Sequence, residues 1–145
     1  MPQKPHSIVK PTLDTPFHID FSWWQEHDRD WRVYLRGLLC EEHSKQFENW
    51  DDEVPVDWVD PETAEVRPVD GLQFVVMTHC SQQPGFLTAG VPMVDSVFRV
   101  LIANGNRPMS VAEIAEHLGK PLQARTLLRT LGRRRSYLGI RPAEK

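Results

Sequence analysis

Residues 107–119, followed by Pro121, leave the backbone little choice. Ser110 is a natural helix N-cap, and Glu113 stands three residues later, where it closes a capping box. Val111, Ile114, Ala115 and Leu118 recur at i, i+3, i+4 and i+7, which is one apolar stripe of a short amphipathic helix. Gly119 ends that helix at the position where a left-handed residue is wanted, and Pro121 prevents direct resumption. A longer apolar helical pattern precedes the unit (Val94, Val97, Phe98, Leu101, Ile102). An arginine-rich one follows over about residues 123–133, with Ala124, Leu127, Leu128 and Leu131 inward.

Long helix, short capped helix, tight turn and basic helix is the order of a helix-turn-helix domain. On the third helix Arg125, Thr126, Arg129 and Arg133 lie opposite the leucines. Arg134 and Arg135 extend the charge past the helix end, and Lys120 sits at the turn, where it can meet a phosphate. An arginine can fork onto guanine in the major groove, and threonine or glutamine can contact base edges or phosphate. Residues 136–140 have strand character. Taken together, residues 93–141 resemble a winged helix-turn-helix domain with a reduced wing. That resemblance implies that the third helix reads double-stranded DNA through Gln123, Arg125, Thr126, Arg129 and Arg133. It places Arg134, Arg135, Tyr137 and Arg141 on the wing side. A full two-stranded wing does not fit after Ile140 unless another strand precedes Ser110 or comes from the front of the chain. The same residues also suit an adaptor, in which the arginines form a solvated face and the helices dock a protein.

Charge supports a basic module at the back. The 145 residues carry a net charge of −3, yet from residue 94 onward ten Lys/Arg stand against four Asp/Glu, while the preceding part has seven against sixteen. Such asymmetry is a cue for a nucleic-acid partner on one half. The acidic front could equally attract or cover the basic back. No apolar run approaches the length of a membrane span, and the first residues lack the apolar core of a signal peptide, so a cytoplasmic location is expected. Two cysteines are too few for a disulfide scaffold.

The front half reads as a small α+β unit. Residues 1–16, with prolines at 2, 5, 11 and 16, are expected to form an extended arm. Residues 17–23 alternate apolar and polar, the period of a half-buried strand. Asp28 or Asp30 then caps a helix with Trp31, Tyr34, Leu35 and Leu38 on one face, running close to residues 40–43. The aromatic residues Phe17, Phe21, Trp23, Trp24, Trp31 and Tyr34 fall mostly on inward phases and are expected in the core rather than on a base-stacking platform. Residues 54–59 and 66–69 form a hairpin around a proline-containing turn, with Pro68 marking an edge strand. Asp70 caps a helix that carries Leu72, Val75, Val76 and His79.

Both cysteines neighbour histidines, as Cys40-x-x-His43 and as His79-Cys80. Thiolate and imidazole suit a tetrahedral zinc ion, and a front unit of modest core would gain stability from a structural metal. Adjacent His79 and Cys80 do not converge easily on one ion while they remain helical. The alternatives are a pair of half-buried thiols, or a Cys40–Cys80 disulfide. Glu41 and Glu42 are not spaced as a catalytic zinc site requires, so a zinc-dependent hydrolase ranks third. His18, Asp20, His27, Asp28 and Asp30 hold atoms suited to a hydrolytic metal, but their spacing reads as strand and helix-cap chemistry. No Gly-rich phosphate loop, nucleophile elbow or paired-carboxylate motif occurs, and no small-molecule cofactor is indicated.

The expectation is therefore an α+β protein with three parts: an arm (1–16), a small acidic α+β domain with a candidate zinc site (17–90), and a basic three-helix winged helix-turn-helix domain with a reduced wing (91–145). Its expected role is non-enzymatic, transcription-associated DNA binding, with the front domain used for partner contact or self-association.

Overall fold

The computed structural model describes residues 10–46, 55–60, 62–88, 90–132 and 137–143. The alternating run forms a first strand, β1 (Pro16–Ile19), which buries Phe17 and Ile19. The strand stops well short of residue 23. Asp20 accepts a hydrogen bond from the Trp23 amide at 3.0 Å and so caps a helix, α1 (Phe21–His27). Local capping chemistry overrides the period-2 pattern there. Trp24, which broke the alternation, is the residue that α1 buries.

Asp30 opens α2 (Trp31–Arg36), which buries Trp31 and Leu35. This helix does not run on to residue 43. Gly37 and Leu38 tighten the last turn, where Leu38 donates to the Leu35 carbonyl at 2.9 Å, and the chain re-enters a helix only at α3 (Glu41–Gln46). A hairpin follows, β2 (Pro55–Val59) against β3 (Val66–Asp70), with Val56 opposite Val69 and Trp58 opposite Arg67. Asp70 ends the hairpin and caps α4 (Gly71–Thr78) by accepting from the Leu72 and Gln73 amides.

After the turns at Gly85 and Gly90 comes α5 (Met93–Ala103), which buries Val97, Phe98, Val100, Leu101 and Ile102. A two-residue strand, β4 (Met109–Ser110), leads into α6 (Val111–His117). Both halves of the capping box are present: Glu113 N–H donates to Ser110 Oγ at 3.2 Å, and Ser110 N–H donates to Glu113 Oε1 at 2.9 Å. Gly119 takes φ +70° and a short 3-10 turn (Pro121–Gln123) precedes α7 (Ala124–Leu131). α6 packs on both α5 and α7. Strand character expected over 136–140 is displaced: Leu138 and Gly139 turn with positive φ, and the strand is β5 (Ile140–Pro142).

The larger sheet has the order β4-β1-β5, antiparallel throughout. Phe17 pairs with Met109 on one side and Pro142 on the other, and Ile19 pairs with Ile140. A strand from the front of the chain thus lies between two strands from the back. The core is likewise continuous across residue 91: Trp24 meets Phe98 edge to face at 5.4 Å, and Tyr34 meets Phe98 at 5.1 Å. The two segments expected as separate domains therefore share a sheet and a core. The expected arm is ordered over its described part as well, for the Leu13 carbonyl accepts from the Ala112 amide at 3.2 Å and its side chain packs on the core; residues 1–9 lie outside the described residues.

The molecule is mixed α and β, of the α+β kind, with two small antiparallel sheets. No helix of the described residues is long and apolar enough to cross a membrane.

Candidate metal centre and basic helix

Cys40, His43, His79 and Cys80 converge, with their ligand atoms all within 4.8 Å of one another. Cys40 stands at the entry to α3, its carbonyl accepting from Ser44 N–H at 2.8 Å, so His43 lies one turn inside on the same face. The other pair depends on how α4 ends. His79 leaves the helix at φ −123°, ψ −62°, and Cys80 starts a 3-10 turn (Cys80–Gln82). That break turns two adjacent side chains toward one point, which a continuing helix would not allow. Gln83 supports the break, since its side-chain amide donates to the His79 carbonyl at 3.2 Å and its backbone amide donates to the Cys80 carbonyl at 3.3 Å. A glutamine three or four residues beyond the pair gave no sequence signal of this role.

The sulfurs of Cys40 and Cys80 are 3.5 Å apart and not bonded to one another. His43 Nδ1 stands 3.2 Å from Cys40 Sγ and 3.9 Å from Cys80 Sγ, and His79 Nδ1 stands 3.6 Å from Cys40 Sγ. The two imidazoles meet edge to face at 4.3 Å. Cys80 is buried, and that burial pushes its thiol up to about 11. Burial of this kind disfavours the thiolate, and a metal ion beside the sulfur would favour it. Two thiols and two imidazoles around one point could hold a metal ion. Of the other candidate metal residues, Asp20, Asp28 and His27 are otherwise engaged. Asp20 caps α1, Asp28 accepts from Trp24 Nε1 at 3.1 Å and from the Asp30 amide at 2.9 Å, and His27 Nδ1 lies 2.7 Å from the Trp23 carbonyl.

The aromatic residues lie in or against the core. Phe17, Trp24 and Trp31 are buried, and Phe21, Trp23 and Tyr34 pack on them.

On α7, Leu127 is buried and Ala124, Leu128 and Leu131 pack on the core, while Arg125, Thr126 and Arg129 are exposed. Lys120 and Gln123, ahead of the helix, are exposed too, and so is Tyr137. Arg133, Arg134 and Arg135 lie outside the described residues. Arg141 is placed differently from the rest. Its guanidinium sits 5.0 Å over the Trp23 ring and 3.4 Å from Asp20, so it is tied to α1 from the edge strand β5.

Comparison with models of protein families, with curated proteins and with solved structures finds no significant match to this chain.

Proposed function

We propose that the protein is a non-enzymatic DNA-binding protein that presents α7 to the major groove, and that the Cys/His centre holds a structural zinc ion. In this reading α5, α6 and α7 make a helix-turn-helix unit of the winged type, with β4 and β5 as its strands. The observation that carries it is the outer face of α7: Arg125, Thr126 and Arg129 are exposed beside Lys120 and Gln123, and the helix contains no acidic residue. Cationic and hydrogen-bonding side chains on one exposed helix face are the footprint of groove binding. β1, lying between β4 and β5, takes the place of a protruding wing, and it leaves Arg141 bound to Asp20 rather than aimed at a backbone. The acidic front segment then serves partner contact or self-association.

Zinc is the ion that the donor spacing favours. With Zn–S near 2.3 Å and Zn–N near 2.0–2.1 Å, a tetrahedron has ligand-to-ligand edges of about 3.3–3.8 Å. Four of the donor separations run from 3.2 to 3.9 Å, near those edges, and all the donors lie within 4.8 Å of one another. A closed set of four protein ligands leaves no position for a reacting water, which favours a structural role.

One observation favours the adaptor reading. Leu122, in the turn before α7, is 98% exposed, which suits an apolar protein partner better than a phosphate backbone. Fluorescence anisotropy of the full chain with a mixed-sequence duplex, across a series of salt concentrations, separates the two. Binding that weakens steeply with salt supports DNA. Failure to bind at low salt, with zinc bound and the helical spectrum intact, overturns it in favour of the adaptor.

A further inference from the structure

A cavity of about 400 Å³ opens between α5, the turn after α6 and the loop before α5. One wall is apolar, formed by Leu87, Val91, Met93, Leu118 and Leu127. Arg99, Lys120 and His117 bring basic groups to it, with Ser96 and Gln123 as further polar groups, and among the described residues no carboxylate lines it. Asp95, one turn before Arg99 on α5, is taken by the Tyr34 hydroxyl, which donates to it at 2.6 Å.

Arg99 is the anchor. Its guanidinium lies 5.3 Å over the Phe86 ring, and one Nη donates to the Phe86 carbonyl at 2.9 Å. These interactions fix the group in place, yet its Nε is buried with no hydrogen-bond partner. A buried donor on a charged group that faces no carboxylate carries an unmet desolvation cost. Guanidinium forks match carboxylates in geometry, and pockets of this size with an apolar lining and a few convergent polar groups suit small organic ligands.

We propose that this cavity binds a small amphipathic carboxylate, with the carboxylate on the Arg99–Lys120 side and the apolar body against Leu118 and Leu127. The ligand would touch α5, the turn at Lys120 and α7 at once, holding α7 against the rest of the core. This site does not depend on the DNA reading, because binding to it is measured with no nucleic acid present.

The test is calorimetric titration of the zinc-loaded full chain with sodium octanoate, set beside 1-octanol and inorganic phosphate. Octanoate is expected to bind one to one with Kd below about 1 mM. Arg99→Gln should weaken it about tenfold or more, as loss of a charged hydrogen bond does. Because Arg99 also holds the Phe86 carbonyl, Lys120→Glu is the companion variant: its exposed position leaves the fold alone, and reversed charge should weaken octanoate at least as much as neutralisation would. Arg129→Ala, outside the cavity, should leave octanoate binding unchanged. No heat and no rise in Tm at millimolar octanoate overturns the proposal. Equal binding of 1-octanol reduces the site to an apolar cavity and overturns its anionic part. Phosphate binding as tightly as octanoate, with the same dependence on Arg99, makes it a phosphate subsite and overturns the amphipathic part.

Discussion

Asn106 and Ile19, far apart in the chain, exchange two hydrogen bonds of 2.8 Å: Ile19 N–H donates to Asn106 Oδ1, and Asn106 Nδ2 donates to the Ile19 carbonyl. The asparagine amide stands in for a strand at the edge of β1, ahead of the first β4 residue, Met109. Asn106 is held at φ +57°, a conformation that asparagine tolerates better than most residues. Asn106→Ala leaves both main-chain groups of Ile19 without these partners and should cost about 2–3 kcal/mol in urea unfolding. Asn106→Gly relieves the left-handed backbone but still loses both bonds, so it should recover only a fraction of that loss. Full recovery by glycine would mean that backbone strain, rather than the paired amide, governs the position.

Gly139 and Gly119 share nearly the same backbone, φ +72° and +70°, but not the same surroundings. A Cβ on Gly139 would lie 2.7 Å from Trp24 Cβ and 3.2 Å from the Asp20 carbonyl, whereas one on Gly119 meets nothing within 4 Å. Gly119→Ala should therefore cost only the conformational penalty, about 1 kcal/mol. Gly139→Ala should cost about 3 kcal/mol or more, because the clash is with a buried tryptophan and with backbone. Thermal unfolding of the two variants side by side checks the difference.

Glu113 adds a pH dependence with a definite sign. The Ser110 backbone N–H, and then its side chain, hold the Glu113 carboxyl below its usual range. A carboxylate whose folded-state pKa is depressed contributes stability above its unfolded pKa and loses it as pH falls through the folded value. The group is exposed, so solvent screening limits the contribution to about half a kcal/mol. Glu113→Gln should lower Tm slightly at neutral pH and converge with the parent protein as pH falls through the depressed carboxyl value. A gap that stays constant to low pH would trace the effect to side-chain packing.

Sequence pattern reached α4 and α6 through their caps, Asp70 for one and Ser110 with Glu113 for the other, and α5 and α7, which have no side-chain cap, through their apolar stripes. It also brought Cys40, His43, His79 and Cys80 together, since two short pairs at helix ends are legible without knowing the fold. What it missed is non-local. The strand order β4-β1-β5 depends on residues at opposite ends of the chain, and nothing in residues 17–23 says that the alternation yields to an Asp20 cap. The same topology bears on an obvious truncation: residues 91–145 alone would lack β1, the middle strand, so that fragment is a poor vehicle for testing DNA binding. Arg99 was equally illegible, because a basic residue within an apolar helix usually extends freely into solvent, and only the packing on Phe86 shows that this one is held in place.

If the Cys/His centre holds zinc, purified reduced protein should contain about one equivalent, and a strong chelator should lower Tm markedly. Cys80→Ser should abolish retention of the metal. It removes the most buried ligand, the one that joins α4 to α3. Gln83→Ala, which loosens the break after α4 without removing a ligand, should weaken zinc affinity by about tenfold, the usual cost of removing a group that orients the ligands. Freshly prepared reduced protein with no metal, and no gain in Tm on adding zinc, would leave the four residues as a polar junction between α3 and α4.

Arg125 and Arg129 provide the sharpest separation of function from fold. Both side chains are exposed and neither has a described carboxylate partner within ion-pair distance, so Arg125→Ala and Arg129→Ala should leave Tm within about 1 °C of the parent. In the DNA reading each variant deletes a guanidinium that meets a phosphate or a base. Where the partner is a phosphate, the slope of log K against log salt falls by about 0.9 per charge, and all duplexes bind more weakly alike. Where the partner is a base edge, the change costs about 1–3 kcal/mol on preferred sequences and relaxes discrimination at one position. The single variants, titrated across salt beside the double variant, tell which arginine does which. Unchanged affinity and slope in the double variant, with binding intact, would move the nucleic-acid surface off α7 altogether. A fall in Tm instead would mean that these side chains support the fold.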